Sequence, residues 1–238
     1  MPRWIAHRGG GALAPENTLA GIRLAARLGF KAVEFDVMLT ADGVPILIHD
    51  ETLQRTTDGR GRVSAHAWDA VYRLDAGSRF HPAWAGEPVP RLADAVSLCA
   101  DLGLSANVEI KPAAGHEAET GRIVAQALPS AWPEGQTLLL SSFSEPALAA
   151  AAETGCSWPR ALLVGAIPGD WQSRLQALGC MAVHADAARL SEARLAELRA
   201  AGVPVAAYTV NSAADAERCF GLGVAALFTD RIDSIGRG

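Results

Sequence analysis

Ala32-Val33-Glu34-Phe35-Asp36-Val37-Met38-Leu39-Thr40-Ala41-Asp42-Gly43-Val44-Pro45-Ile46-Leu47-Ile48-His49-Asp50 holds two strand candidates, 32–38 and 45–49, linked through Thr40-Ala41-Asp42-Gly43. A parallel crossover needs a dozen or more residues, and Asp-Gly is a hairpin-turn dipeptide. The second run is therefore read as an antiparallel return, which brings His49 near Asp36. Strand periodicity also sorts the faces, because residues i and i+2 share one. Glu34 and Asp36 point one way, and Val33, Phe35 and Val37 the other.

Working outward, further strand candidates fall at 4–7, 105–110, 137–142, 160–164, 181–185, 203–209 and 225–229. Several are near-continuous apolar runs, such as Thr137-Leu138-Leu139-Leu140, as expected of strands buried on both faces of a parallel sheet. Helix candidates lie between them at 16–29, 91–102, 116–128, 145–155, 171–179, 191–201 and 212–222. Ser144-Glu145-Pro146 opens one and Gly155 ends it; Ser191 and Gly202 bound another. Such alternation predicts an α/β fold. Setting the return strand aside leaves eight strands, the count of a TIM (βα)8 barrel. Residues 50–90 break the alternation and are expected to form a small inserted cap after the second strand, within a single domain spanning 1–238.

Composition agrees with this reading. The chain has 238 residues, 50% hydrophobic and 20% charged, a length and balance that suit one barrel and exclude disorder. No apolar run of about 18 residues occurs, so stable membrane insertion is not expected. A formal net charge of -5 speaks against a nucleic-acid partner. Cys99, Cys156, Cys180 and Cys219 form no CxxC pair and are read as buried free thiols of a reducing compartment. With no basic-then-apolar segment ahead of His7, the expected location is cytoplasmic.

Four segments carry polar groups where a buried strand should be apolar: Ala6-His7-Arg8, Glu34-Phe35-Asp36, Ile48-His49-Asp50 and Asn107-Val108-Glu109-Ile110-Lys111. Periodicity turns Glu34, Asp36 and Glu109 into the barrel, where unpaired ionised carboxylates would cost several kcal/mol each. Arg8 and Lys111 would offset some of that charge, and salt bridges to them are the simpler alternative. A metal is the more economical answer. Oxygen-only ligands favour a hard cation, Mg²⁺ or Ca²⁺. His7 and His49 suggest a general acid and a general base, with metal ligation ranked below. A divalent cation, an arginine and a lysine together match a phosphoryl group, and a phosphodiester fits best.

These residues resemble the glycerophosphodiester phosphodiesterases. The likeness runs from His7-Arg8-Gly9 and Ala14-Pro15-Glu16-Asn17-Thr18 through Glu34-Phe35-Asp36-Val37, Thr40-Ala41-Asp42-Gly43 and His49-Asp50 with Leu53, Arg55, Thr56 and Thr57. It continues in Leu74-Asp75-Ala76-Gly77-Ser78, Glu109-Ile110-Lys111, Ser142-Phe143, Tyr208-Thr209-Val210-Asn211 and Thr229-Asp230. The resemblance implies a TIM barrel with an insertion after the second strand. It implies one divalent cation and hydrolysis of small glycerophosphodiesters to sn-glycerol 3-phosphate and an alcohol. It assigns the metal to Glu34, Asp36 and Glu109, acid–base catalysis to His7 and His49, and the phosphate to Arg8 and Lys111. Asn17 would support the metal or phosphate, or else cap the first helix. Phe143 and Tyr208 would line the glycerol pocket, or else pack the barrel. Relatives commonly carry Trp at position 208, and often an aromatic where Arg79 stands. A direct attack by water and a cyclic-phosphate route use the same two histidines. His184 is a weaker substrate contact, and His66, His81 and His116 are read as surface residues. Competing readings are a lysophospholipase D, which would want an apolar groove, and a non-catalytic phosphate-ligand binding protein, which would have lost part of this set.

Overall fold

In the computed structural model, which describes residues 1–236, the chain opens with β1 (Trp4–Ala6) and α1 (Leu19–Arg27). It then enters β2 (Ala32–Leu39) and β3 (Pro45–Leu47). β2 and β3 pair antiparallel, Val37 opposite Leu47 and Leu39 opposite Pro45, as the Asp-Gly turn predicts. Gly43 N donates to Thr40 O at 3.0 Å, and Gly43 sits at φ +76°, where a side chain would be strained. Ile48 N donates to Asp36 O at 3.1 Å, so the return delivers His49 to the end of β2 that carries Asp36.

The elements that follow are α2 (Trp68–Val71), α3 (Leu92–Asp101), β4 (Ser105–Ile110), α4 (Glu117–Ala127), β5 (Leu138–Ser142) and α5 (Glu145–Glu153). The chain then runs through β6 (Arg160–Val164), α6 (Trp171–Leu178), β7 (Ala182–Asp186), α7 (Glu192–Ala200), β8 (Val205–Tyr208), α8 (Ala213–Gly221) and β9 (Ala226–Thr229). Neighbouring strands run β1-β9-β8-β7-β6-β5-β4-β2, and a parallel β1–β2 pairing closes the ring, leaving β3 outside it. This is a (βα)8 barrel. No helix among the described residues is long and apolar enough to cross a membrane.

Local signals explain the helix ends. Ser144 accepts from Ala147 N at 3.2 Å to start α5, and Gly155, at φ +75°, follows its end. The expected helix at 16–29 starts only at Leu19, because Thr18 is the cap and accepts from Gly21 N at 3.1 Å. The segment between β3 and α3 also departs from expectation. It contains α2 and two single-turn helices, Val63–Ala65 and Pro82–Trp84, too short to show a period in sequence. Its apolar side chains form their own cluster, in which Leu53, Val63, Val71 and Val89 pack with Ile46 of β3. All four cysteines are free as expected, but Cys156 and Cys180 are only partly buried.

Strand alternation divides the protein into an outer and an inner layer. Val33, Phe35, Val37, Val108, Ile110, Leu138 and Leu140 face outward and pack under α1, α3 and α4 with Ile22, Leu92, Cys99 and Val124. Small residues fill part of the barrel interior: Ala32, Ala206 and Ala226 pack with Ile5 and Phe228, and Ala161 and Ala182 with Leu139. In register, Glu34 lies beside Asn107 and Asp36 beside Glu109 across the β2–β4 pair, so one face of two neighbouring strands carries the polar residues. Phe35, fully buried between Glu34 and Asp36 in sequence, anchors β2 from the opposite side. Phe35→Ala is expected to cost about 3–5 kcal/mol of unfolding free energy, measured by urea denaturation; a cost near zero would show that β2 presents its faces the other way round.

Candidate active site

Glu34, Asp36 and Glu109 each bring a carboxylate oxygen to within 4.8 Å of the other two. All three are buried. Glu34 Oε2 accepts from Arg8 N at 2.9 Å, while Glu34 Oε1 has no partner. Asp36 is bracketed by Asn17, whose Nδ2 donates to Oδ2 at 2.9 Å and whose Oδ1 accepts from Asp36 N at 3.0 Å. Asn17 therefore does not cap α1; it reaches Asp36 from a left-handed conformation at φ +57°. Arg8, at φ +51°, holds Nε 3.6 Å from Asp36 Oδ2. Lys111 Nζ lies 3.6 Å from Asp36 Oδ1 and 3.5 Å from Glu109 Oε1.

Burial and the nearby Asp36 charge push the carboxyls of Glu34 and Glu109 above the usual carboxylate range. Burial acts on Asp36 in the same direction, but Lys111, His49, Arg8 and Asn17 outweigh it and hold its pKa below the ordinary value. The cluster thus has one firmly ionised member and two whose charge is disfavoured until something positive joins them.

The histidines approach this cluster from β1 and from the segment after β3, each with an aspartate behind it. His7 Nδ1 is 2.6 Å from Asp230 Oδ1, and Nε2 is 3.8 Å from Glu34 Oε2. Asp230 is itself held by Asn211, which donates to Oδ2 at 2.8 Å and accepts from Asp230 N at 2.8 Å. Burial disfavours the imidazolium of His7, but Asp230 and Glu34 outweigh that and raise its pKa. His49 Nδ1 is 2.7 Å from Asp50 Oδ1, and Nε2 is 2.8 Å from Lys111 Nζ. There burial prevails, helped by Lys111, against the pull of Asp36 and Asp50, and the pKa falls.

A cavity of about 220 Å³ gathers His7, Arg8, Glu34, Asp36, His49, Glu109, Lys111, Phe143 and Tyr208 on one wall or another. Asn17 stands behind it. Phe143, half exposed, meets Tyr208 edge-on at 5.9 Å between ring centres. Tyr208 donates its hydroxyl to Val164 O at 2.8 Å, which ties the ring to β6. His184 does not line this cavity: it sits inside β7 against Phe228, and burial pushes its pKa down to about 3. Of the histidines expected at the surface, His81 and His116 are exposed and His66 is half-buried.

Reading the sequence for chemistry passed over Asp230, Asn211, Asp50, Glu16 and Arg55, which hold the histidines and Arg8 from behind. The available signal was their place in the motifs: Asp50 follows His49 directly, and Asp230 lies just past the end of β9, the strand beside β1. Asn107, which the strand period puts on the same face as Glu109, lines the cavity from β4, although reading the sequence assigned it no role. It donates to Ser141 Oγ at 3.0 Å.

Residues 7–234 match the family model described as the glycerophosphoryl diester phosphodiesterase family. A glycerophosphodiester phosphodiesterase of Caldanaerobacter subterraneus subsp. tengcongensis is 44% identical over 107 residues, 45% of this chain and 44% of that one. Glycerophosphodiester phosphodiesterase 1 of Homo sapiens is 43% identical over 109 residues, 45% of this chain and 33% of that protein. These matches therefore span less than half the length of the relatives concerned. Among solved structures, a phosphodiesterase of Oleispira antarctica in complex with the product sn-glycerol-3-phosphate superposes with a TM-score of 0.92 at 38% identity, covering 97% of this chain and 93% of the other. The match of the family model along almost the whole barrel, over a mouth that brings His7, His49 and the three carboxylates together, shows that this chain belongs to the glycerophosphoryl diester phosphodiesterase family.

Proposed function

We propose that the chain is a metal-dependent glycerophosphodiester phosphodiesterase. It hydrolyses substrates such as glycerophosphocholine and glycerophosphoethanolamine to sn-glycerol 3-phosphate and the free alcohol. The observation that carries this is the pair of histidines, each oriented by its own aspartate, facing one carboxylate cluster. Neither a binding protein nor a structural ion-pair cluster needs two such pairs.

The carboxylates fit a divalent cation, Mg²⁺ or Ca²⁺. Glu34 presents a buried oxygen with no partner, and all three donors are hard oxygens. Bound by Glu34, Asp36 and Glu109, the cation supplies positive charge that neutralises the cluster and stabilises the phosphoryl oxygens. Arg8 and Lys111 bind the phosphate; Arg8 Nε is buried with no hydrogen bond of its own, and its guanidinium fits a phosphate oxygen.

His49 is the base. Lys111 Nζ donates to its Nε2, which makes that nitrogen an unprotonated acceptor. Once Lys111 turns to the phosphate, Nε2 takes the proton of the attacking water, or of the glycerol hydroxyl on a route whose cyclic phosphate water then opens. His7 is the acid. Asp230 accepts from Nδ1 and favours the charged ring, so Nε2 carries a proton for the departing alkoxide as its P–O bond breaks. Asn17 holds Asp36 in place. Phe143 and Tyr208 form the apolar wall for the glycerol carbons, and residues 50–90 act as a cap beside the site.

The direct test is hydrolysis of glycerophosphocholine with coupled detection of glycerol 3-phosphate. EDTA is expected to abolish activity, with Mg²⁺ or Ca²⁺ restoring it. His7→Ala and His49→Ala are each expected to lower kcat by about 10²–10⁴-fold. A folded protein inert with every metal on glycerophosphocholine but active on a lysophospholipid would replace this reading with the lysophospholipase D one.

The cluster also makes stability depend on pH and metal together. A carboxyl whose pKa is raised on folding holds more protons folded than unfolded. Its contribution to stability therefore falls as pH rises from the ordinary carboxylate range through the raised value. Glu34 and Glu109 are of that kind, and a cation binding their ionised forms reverses the loss. The gain in Tm on adding divalent metal is expected to be larger at about pH 8 than at about pH 5.5, measured by differential scanning calorimetry. An equal gain at both would show that the metal does not bind these carboxylates.

A further inference from the structure

Arg55 lies in the segment between β3 and α3 and does not line the catalytic cavity. Its guanidinium nevertheless spans two carboxylates that each touch a residue of the site. Nε donates to Asp50 Oδ2 at 2.6 Å and Nη2 to Asp50 Oδ1 at 2.9 Å. Nη1 donates to Glu16 Oε2 at 2.6 Å and Nη2 to Glu16 Oε1 at 2.8 Å. Asp50 Oδ1 meets His49 Nδ1 at 2.7 Å, and Glu16 Oε1 accepts from Arg8 Nη1 at 2.9 Å. One planar cation therefore ties the loop before α1 to the segment after β3.

We propose that Arg55 is a positioning residue that sets His49 and Arg8 at a fixed distance from each other, so that the base and the phosphate contact meet a single substrate. The proposal rests on the roles given above to His49 and Arg8. Through Asp50, Arg55 fixes the ring plane and tautomer of His49. Through Glu16, it fixes the reach of the Arg8 guanidinium. The requirement is for a fork: two bidentate pairs on one group match the geometry of guanidinium, and an ammonium cannot form them. The Arg55 side chain is 45% exposed, so solvent screens its ion pairs, and turnover rather than stability is the readout that reports a positioning role.

The test is a mutant cycle on metal-saturated enzyme with glycerophosphocholine. It comprises Arg55→Met, Asp50→Asn, Glu16→Gln, the Glu16→Gln/Asp50→Asn double variant, and that double variant carrying Arg55→Met. Arg55→Met is expected to lower kcat about 10–100-fold and to raise KM. Asp50→Asn reproduces mainly the fall in kcat, and Glu16→Gln mainly the rise in KM. In the double variant, Arg55→Met adds less than about twofold. Arg55→Lys, which keeps the charge, restores less than half of the lost kcat; it also stands in, with the same expectations, should Arg55→Met fail to fold. An Arg55→Met enzyme within about twofold of wild type overturns the proposal. So does an equal loss in the double background, which would mark Arg55 as a support for its own segment. His49→Ala separates this from the function itself. Full activity of His49→Ala overturns the assignment of the base, whereas an inert His49→Ala beside a fully active Arg55→Met overturns only the role of Arg55.

Discussion

Three carboxylates buried at one end of a barrel repel one another, and the surroundings of the site are arranged around that repulsion. Left ionised and unpaired, such groups would each cost several kcal/mol. The protein supplies two cations from its own chain, Arg8 beside Asp36 and Lys111 between Asp36 and Glu109. Glu34 nonetheless keeps an oxygen with no partner. An open oxygen among three hard donors is what a divalent cation, bound as proposed, would fill, and it would offset the repulsion at the same time.

Every other feature of the site follows from where β2 and β4 put these groups. Parallel pairing in register sets Asp36 beside Glu109, and the apolar residues on the opposite face lock that register by packing against the helices. The short return through Gly43 brings His49 to the same place from outside the ring. Closure of the barrel between β1 and β9 brings His7 to Asp230. The two histidines sit in different fields. One has an aspartate behind it and Glu34 in front; the other has an aspartate behind it and Lys111 in front. Opposite shifts in pKa result, as the proposed division into acid and base requires.

Much of this was legible in the sequence because it rests on local rules. The period of two in Glu34-Phe35-Asp36 and Asn107-Val108-Glu109 reveals which side chains face inward, and Asp42-Gly43 reveals the hairpin that delivers His49. What escaped was set by closure over long distances. His7 and Asp230 are 223 positions apart, and Glu16 and Arg55 are 39 apart, so no local pattern relates them. Asn17 was open to two readings, support for the site or a helix cap, and only the first is realised. Its residue type suits a helix cap, but Thr18 takes that place, and the left-handed backbone that frees Asn17 for Asp36 has no signature in a single sequence. His184 was misread because a histidine near the end of an apolar run looks like a site residue, whereas its position in β7 turns it toward Phe228 inside the barrel.

The central claim is that the carboxylates bind a cation beside which the phosphate is held by Arg8 and Lys111. Anomalous diffraction from crystals soaked with Mn²⁺ and sn-glycerol 3-phosphate examines it directly. The expected result is one peak bounded by Glu34, Asp36 and Glu109, with the phosphate in contact with Arg8 and Lys111 and lying between His7 and His49. A cluster without a peak under saturating Mn²⁺, with Arg8 and Lys111 still paired to the carboxylates and the phosphate bound elsewhere, would contradict it.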